Sequence, residues 1–180
     1  MKPADTHCHL QDKAFDPDRE EVLARALEAL EFVVVIGDDL DTSRRAVELC
    51  RPGVHAVVGF HPYHAAQVDD DRIAALRDLA AAPGVVAIGE IGLDYHNVYA
   101  PHIIQKRAFV RQLELAAEMR LPVVIHCREA NDDAAAILEE YAPRLPGGIM
   151  HCFAGDAPFA RRAVGWGFHI SFAGNVTFPK

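Results

Sequence analysis

The stretch Val85-Val86-Ala87-Ile88-Gly89-Glu90 decides the fold, because it is a short apolar run that closes on a single carboxylate. Two further runs, Pro122–His126 and Gly148–His151, close on a histidine in the same way. Short runs rich in valine and isoleucine, with little polar alternation, are typical of parallel strands buried on both faces. The polar residue that ends each run predicts a site at the carboxyl ends of the strands.

Short apolar runs alternate with amphipathic stretches along the whole chain. The predicted strands are Pro3–His7, Phe32–Ile36, His55–Gly59, Val85–Gly89, Pro122–His126, Gly148–His151 and Phe168–Phe172. Helices are predicted between them, beginning at Asp16-Pro17, Asp41, Asp69, about Ile104, Asn131 and Asp156. Acidic and amide residues at these positions favour helix starts because their side chains accept backbone N–H bonds.

Repeated β-then-α units predict an α/β fold of the TIM-barrel (β/α)8 type. A doubly wound open sheet is the alternative, but it gathers ligands at one switch-point crevice, whereas here they follow strands one, four, five and six. A full barrel needs eight units in about 250 residues, and this chain has 180. We therefore predict a single domain over 1–180 with about seven of the eight units, lacking the final strand and helix.

The composition, 51% hydrophobic and 24% charged, is that of one soluble domain. No apolar run approaches the roughly 18–20 residues that span a bilayer. The start Met1–Asp5 has no signal-peptide pattern. The four cysteines form no CxxC pair, which favours reduced thiols and a cytoplasmic location. A net charge of −8 argues against a broad basic surface for nucleic acid but not against bound cations that hold one phosphate.

Four histidines and one glutamate are candidate metal ligands. His7 and His9 alternate with Cys8, so their rings face the same way on a strand. His126 and His151 each end a strand, and Glu90 needs a cation because an unpaired buried carboxylate is costly. For each histidine the alternative is a structural role in the core or on the surface.

Three more residues are predicted near the same mouth. His61, just past the third strand, is a candidate to contact a substrate phosphate or a simple loop histidine. Arg128 faces the same way as His126 and is predicted to bind a phosphate oxygen or to form a surface ion pair. Asp94 is open between holding a loop and hydrogen-bonding a ligand. The cysteines that follow the ligands, Cys8, Cys127 and Cys152, are expected to turn away from the mouth as inert core residues.

Mixed histidine and carboxylate ligation suits zinc, manganese or, less well, magnesium. Two such ions about 3.5–4 Å apart hold a bridging hydroxide and polarise a phosphoryl oxygen, which predicts hydrolysis of a phosphoester.

The motifs together resemble the TatD family of metal-dependent hydrolases. The matching segments are Asp5–Leu10, Gly59–Pro62, Gly89–Tyr95, Pro122–His126, His151–Gly155, Gly167–Phe168 and Ile170–Gly174. The resemblance implies a cytoplasmic deoxyribonuclease acting on DNA, with single-stranded ends as substrate, two divalent ions (Mg, Mn or Zn), and no membrane or stable protein partner. By motif match His7 and His9 hold one ion, His126 and His151 the other, Glu90 bridges them as a catalytic residue, and His61 contacts the phosphate.

The chain departs from the family pattern in one respect. The metal-binding aspartate of the family, within a Glu-Thr-Asp-Ser-Pro-like motif after the eighth strand, has no counterpart among these 180 residues. We expect one ion to lack a ligand and the first and seventh strands to present unpaired edges. A deacylase or amidohydrolase that acts on another ester or amide, such as misacylated transfer RNA, is the alternative, as is an inactive fragment.

Overall fold

The computed structural model of the chain describes residues 2–177. Seven strands run β1 Asp5–Cys8, β2 Val33–Ile36, β3 Val54–Val58, β4 Val85–Asp94, β5 Val123–Arg128, β6 Gly148–Met150 and β7 Phe168–Ile170. Six α-helices run α1 Arg19–Ala29, α2 Leu40–Glu48, α3 Asp70–Ala80, α4 His102–Met119, α5 Asn131–Tyr141 and α6 Ala157–Gly165. Short 3₁₀ turns cover Lys13–Phe15, Pro62–Gln67, Ala142–Arg144 and Gly174–Thr177.

Side-chain caps set several helix starts. Asp69 and Asp156 accept the backbone N–H groups of Arg72 and Phe159, so the predicted starts of α3 and α6 are confirmed. The start of α2 was predicted two residues late, because the capping residue is Asp39 rather than Asp41.

Two other helix starts differ from the prediction. The helix α1 begins at Arg19, because the carboxylate of Asp16 pairs with Arg19 and Arg45 instead of capping. The helix α4 begins at His102, just after Pro101, which lies at its N-terminal cap.

The strands form one parallel sheet in the order β1 to β7, with each strand paired to its neighbours in sequence. The predicted α/β fold of the TIM-barrel type is confirmed, as a curled sheet of seven strands with β1 and β7 at its edges. In a flat sheet β1 and β6 would lie about 24 Å apart, since neighbouring strands are about 4.8 Å apart. Instead the rings of His7, on β1, and His151, just after β6, stack with centroids 3.5 Å apart. The sheet therefore curls until side chains from its distant strands meet.

Both faces of the sheet are buried, which explains the apolar strands. In β2, Val33 and Val35 pack with Leu23 of α1 and Ala46 of α2 in the layer between sheet and helices. The alternate residues pack on the inner face, where the buried cluster contains Val34, Ile36, Val57, Ala87 and Val124. The polar residues that the sequence places at strand ends are thereby left at the rim of this inner face.

Several strand ends differ from the prediction, and β5 runs on to Arg128, so His126 lies inside that strand rather than at its end. The strand β4 continues past the predicted end at Gly89 to Asp94, with an irregular register between Ile88 and Ile91. Glu90 therefore lies at this irregularity inside β4 rather than at its end. The strands β6 and β7 are shorter than predicted, so His151 directly follows β6. Among residues 2–177 no helix has both the length and the apolar character needed to cross a membrane.

Candidate metal centre

Glu90 lies at the centre of the site, with only 6% of its surface exposed. Its Oε1 atom is 3.0 Å from Nδ1 of His126, and its Oε2 atom is 3.3 Å from Nε2 of His7. The two oxygens of one carboxylate thus face imidazoles from two strands, β5 and β1. A carboxylate buried to this degree needs such partners, because burial of an unpaired charge is very costly.

Two groups of possible metal ligands share this carboxylate. The first group is His7, Glu90 and His151, and the second is His61, Glu90 and His126. In each group one ligand atom per residue lies within 4.8 Å of the others. The expected grouping paired His7 with His9 and His126 with His151, whereas the structure groups His7 with His151 and brings His61 beside His126. The expected pairing of histidines on each ion stays a prediction, because closeness of ligand atoms alone does not say which of them share an ion.

His9 is close to the centre but belongs to neither group. Its ring centroid is 5.1 Å from that of His7, and its side chain is 47% exposed. The Nδ1 atom of His9 is 3.3 Å from Nε2 of Gln11 and 4.0 Å from Oδ1 of Asp38. His9 nevertheless lines the same cavity as the two groups, which has a volume of about 650 Å³.

Asp94 is the residue whose role the sequence left open, and the structure gives it both of the suggested contacts. It is fully buried, and its Oδ2 atom is 2.9 Å from Nε2 of His126. Its Oδ1 atom accepts the backbone N–H groups of His96 and Asn97. Asp94 therefore ties the imidazole of His126 to the loop after β4. The signal available in the sequence was the apolar run Ile91–Leu93, which carries the strand on to Asp94.

The strand pairing brings β4 unusually close to His126. Gly92, which pairs with His126, has φ +142°, and a Cβ atom there would lie 1.9 Å from the carbonyl oxygen of His126. Only glycine fits this position, because it combines a positive φ with the absence of a side chain.

The protonation states follow from burial and contact. Burial alone would raise the pKa of Glu90, but hydrogen bonds with His126 and His7 outweigh it and hold the pKa well below its usual value. Burial lowers the pKa of His61 to about 4, with the charge of His126 acting in the same direction. Burial also lowers the pKa of His151 to about 4. Neutral imidazole is the form that ligates metals, so His61 and His151 are in that form at neutral pH.

The remaining predicted residues occupy different places. Arg128 ends β5 and lines the cavity. Cys127 lines the cavity as well, contrary to the expectation for it, and its thiol donates to Oδ1 of Asn131. The thiol of Cys8 turns away from the cavity and donates to the carbonyl of Val34, and burial raises its pKa to about 11. Cys152 lines the cavity, contrary to the expectation for it. Strand alternation does not reach Cys152, because β6 ends at Met150 and Cys152 has a positive φ of 45°.

The donor set fits a divalent cation. Imidazole nitrogens and carboxylate oxygens are the ligands that zinc and manganese accept together. The buried Nδ1 atom of His7 has no hydrogen-bond partner within the described residues, so part of this polar cluster is unsatisfied by protein alone. An unpartnered nitrogen in a cluster of histidines around one carboxylate fits a site that binds a cation.

A curled parallel α/β sheet with histidines gathered around a carboxylate at its carboxyl rim defines a barrel-type hydrolase. The family described as TatD related DNase matches residues 4–180, and the chain belongs to that family. The resemblance inferred from the motifs is thereby confirmed.

Individual relatives agree with this assignment. The chain is 44% identical over 179 residues to the uncharacterized metal-dependent hydrolase YabD of Bacillus subtilis, covering 98% of this chain and 70% of YabD. It is 38% identical to the 3'-5' ssDNA/RNA exonuclease TatD of Cronobacter turicensis, covering 96% of this chain and 66% of that protein. The crystal structure of YJJV, a TatD homologue from Escherichia coli, superposes with a TM-score of 0.88 at 31% identity, covering 98% of this chain and 70% of that one.

Proposed function

We propose that this chain hydrolyses phosphodiester bonds at single-stranded DNA ends with two divalent cations held around Glu90. The observation that carries the proposal is the position of the Glu90 carboxylate between two histidine groups, one on each oxygen. The chain spans about two thirds of the length of the relatives described above, so their activities are extended to it here as a proposal.

The residues divide into two binding sets. His7 and His151 would hold one cation on the Oε2 side of Glu90, and His61 with His126 would hold the other on the Oε1 side. His9 stays a candidate for the first set, because it lines the same cavity next to His7. Two divalent cations in such a site supply an activated water at neutral pH and polarise the phosphoryl oxygen.

The chain's own groups hold and orient the substrate. Arg128, at the cavity wall, presents a guanidinium that matches the oxygens of a phosphate. The grouping of His61 with Glu90 and His126 supports a ligand role for His61, and the expected phosphate contact is the alternative role. The carboxylate of Asp94 forms a hydrogen bond with Nε2 of His126, and Nδ1 of His126 therefore faces Glu90. The cytoplasmic location stays a prediction.

The test is the hydrolysis of a 5′-labelled single-stranded oligonucleotide by the purified chain with Mg²⁺, Mn²⁺ or Zn²⁺. We expect stepwise release of nucleotides that stops when a chelator is added and is lost in Glu90→Gln. Glu140→Gln, an exposed glutamate of α5, is the matched control and should retain the activity. Full activity in chelator would contradict the proposal, and hydrolysis of carboxylic esters without cleavage of DNA would favour a deacylase.

A further inference from the structure

A row of aromatic rings leads from the candidate metal centre to the surface. The ring centroids of His126 and His61 are 4.4 Å apart, those of His61 and Tyr63 are 4.3 Å apart, and those of Tyr63 and Tyr99 are 4.6 Å apart. Tyr99, the outermost ring, is 71% exposed. Because so much of it is exposed, a large part of the ring surface is open to a ligand.

The row is held in place by polar contacts. The side-chain amide of Asn97 donates to the hydroxyl of Tyr63 at 2.7 Å, and the backbone N–H of Asn97 donates to the buried carboxylate of Asp94. The side-chain amide of Gln105 donates to the carbonyl of Ala100, next to Tyr99. The loop that carries Tyr99 is thus tied on both sides to groups that also position the centre. Tyr63 and Tyr99 therefore form a preset surface.

The chemistry of this surface fits unpaired nucleobases. Every base has a π-face, and stacking on aromatic side chains binds single strands without sequence preference. The chain carries a net charge of −8, so attraction of phosphates to a basic surface cannot supply most of the affinity. Stacking of bases on aromatic rings does not depend on a positive surface charge, so it can supply the remaining binding affinity.

The two tyrosines also lie next to the candidate metal centre. The ring of Tyr63 is 6.5 Å from that of His126, so the aromatic row begins beside the place where a phosphate would be held.

We propose that Tyr63 and Tyr99 form a stacking surface for the bases next to the phosphate held at the candidate metal centre. This inference rests on the proposed function, since it names how that site grips a single strand. Its competitor is a purely structural role, in which the two rings only order the loop between β4 and α4.

The experiment measures binding and cleavage separately. Binding is followed by fluorescence anisotropy with Mn²⁺ present, on a short thymidine oligonucleotide with hydrolysis-resistant phosphorothioate linkages and on the same strand carrying abasic sites at its 3′ end. We expect Tyr99→Leu, which keeps an apolar side chain but removes the ring, to weaken binding of the base-containing strand about tenfold. Tyr99→Phe should bind like the wild type, and the abasic strand should bind all three proteins equally.

Each outcome decides one question. Equal binding of the base-containing strand by Tyr99→Leu and the wild type, or no binding by the wild type, overturns the stacking surface. An equal loss of both strands in Tyr99→Leu also overturns it, because loop disorder alone explains that result. Cleavage by the wild type with added Mn²⁺ tests the nuclease proposal separately, so a failure of the stacking surface is distinguishable from a failure of the proposed function.

Discussion

At the scale of single residues, the account depends on the two oxygens of Glu90. Each oxygen faces a different imidazole, and the carboxylate is 6% exposed. A neutral amide of the same shape keeps the packing but removes the charge that would be shared between two cations.

We expect Glu90→Gln to lose most of its bound divalent cation and to reduce nuclease activity by at least about 100-fold, since ligand changes at metal sites have effects of this order or larger. The measurement is metal content by plasma mass spectrometry after dialysis, with Glu140→Gln as the control. Undiminished metal content in Glu90→Gln would show that the cation is held elsewhere.

A second residue-scale prediction concerns Asp94. An asparagine there must either turn its NH₂ group toward Nε2 of His126 or turn it toward the N–H groups of His96 and Asn97. The first arrangement forces the imidazole to carry its proton on Nδ1, the atom that faces Glu90, and the second places donors against donors. We expect metal affinity to fall about 10–100-fold, as for other partners of ligating histidines.

Titration calorimetry measures this affinity, and ¹⁵N chemical shifts of the histidine rings report which nitrogens of His126 carry protons in the metal-free protein. Asp132→Asn, an exposed position in the first turn of α5, is the control. Wild-type protonation of His126 together with wild-type metal affinity in Asp94→Asn would show that Asp94 does not position His126.

The sequence predicted part of this arrangement. Histidines and a glutamate after buried strands were enough to select the residues that line the cavity, because the strand ends of a parallel barrel share one rim. The sequence did not predict which histidine faces which, because that depends on the curl of the sheet and on the register shift in β4. The placement of His61 next to His126 was missed for the same reason.

At the scale of elements, α4 braces two strand ends with buried glutamines. The side chain of Gln112 accepts the backbone N–H of Phe60 and donates to its carbonyl, directly before His61. Gln105, two turns earlier, forms the same pair of bonds with the backbone of Asp94. The helix thereby fixes the ends of β3 and β4 relative to each other.

We expect Gln112→Leu to lower the free energy of unfolding by about 2–4 kcal/mol, because it leaves a buried N–H and a buried carbonyl without partners. Urea unfolding measures the change. Arg107→Leu, exposed on the same helix, should stay within about 0.5 kcal/mol of the wild type. An equal effect of the two substitutions would show that the bracing contributes nothing.

The sequence predicted the existence and order of these elements better than their ends. The cap at Asp156 was recognised because the side chain acts locally, and Asp69, predicted only as a helix start, is also a cap. The cap predicted at Asn131 is wrong, because Asn131 is the first residue of α5 and makes no capping bond. The role of Gln105 and Gln112 was not predicted, since a glutamine on a helix is ordinarily exposed and only tertiary contact buries these two.

At the scale of the whole molecule, the candidate ligands lie in five strands, β1, β3, β4, β5 and β6, or within three residues of their ends. A cation bound among them links distant parts of the chain that are otherwise held by packing. Binding to the folded state alone stabilises it by about 2.7 kcal/mol when the free cation is at 100 times its dissociation constant.

We therefore expect saturating Mn²⁺ or Zn²⁺ to raise the midpoint of thermal unfolding by roughly 5–10 °C, at about 2–4 °C per kcal/mol for a chain of this size. Differential scanning calorimetry with and without chelator measures the shift. The shift should disappear in Glu90→Gln and persist in Glu140→Gln, and an equal shift in both would point to binding elsewhere on the surface.

The fold class was predictable because buried, non-alternating strands separated by amphipathic helices leave few architectures. How far the sheet curls was not predictable from seven such units. The stacking of His7 on His151 across the sheet is a tertiary contact, and local sequence patterns do not predict it.

The most direct test of the central claim is anomalous diffraction at the zinc edge from crystals of the chain grown with Zn²⁺. We expect two peaks, one near each oxygen of Glu90, at about 2.0–2.2 Å from the carboxylate and imidazole ligand atoms. The first peak should contact His7 and His151, and the second should contact His61 and His126. Peaks found only on exposed carboxylates, with none at Glu90, would contradict the account.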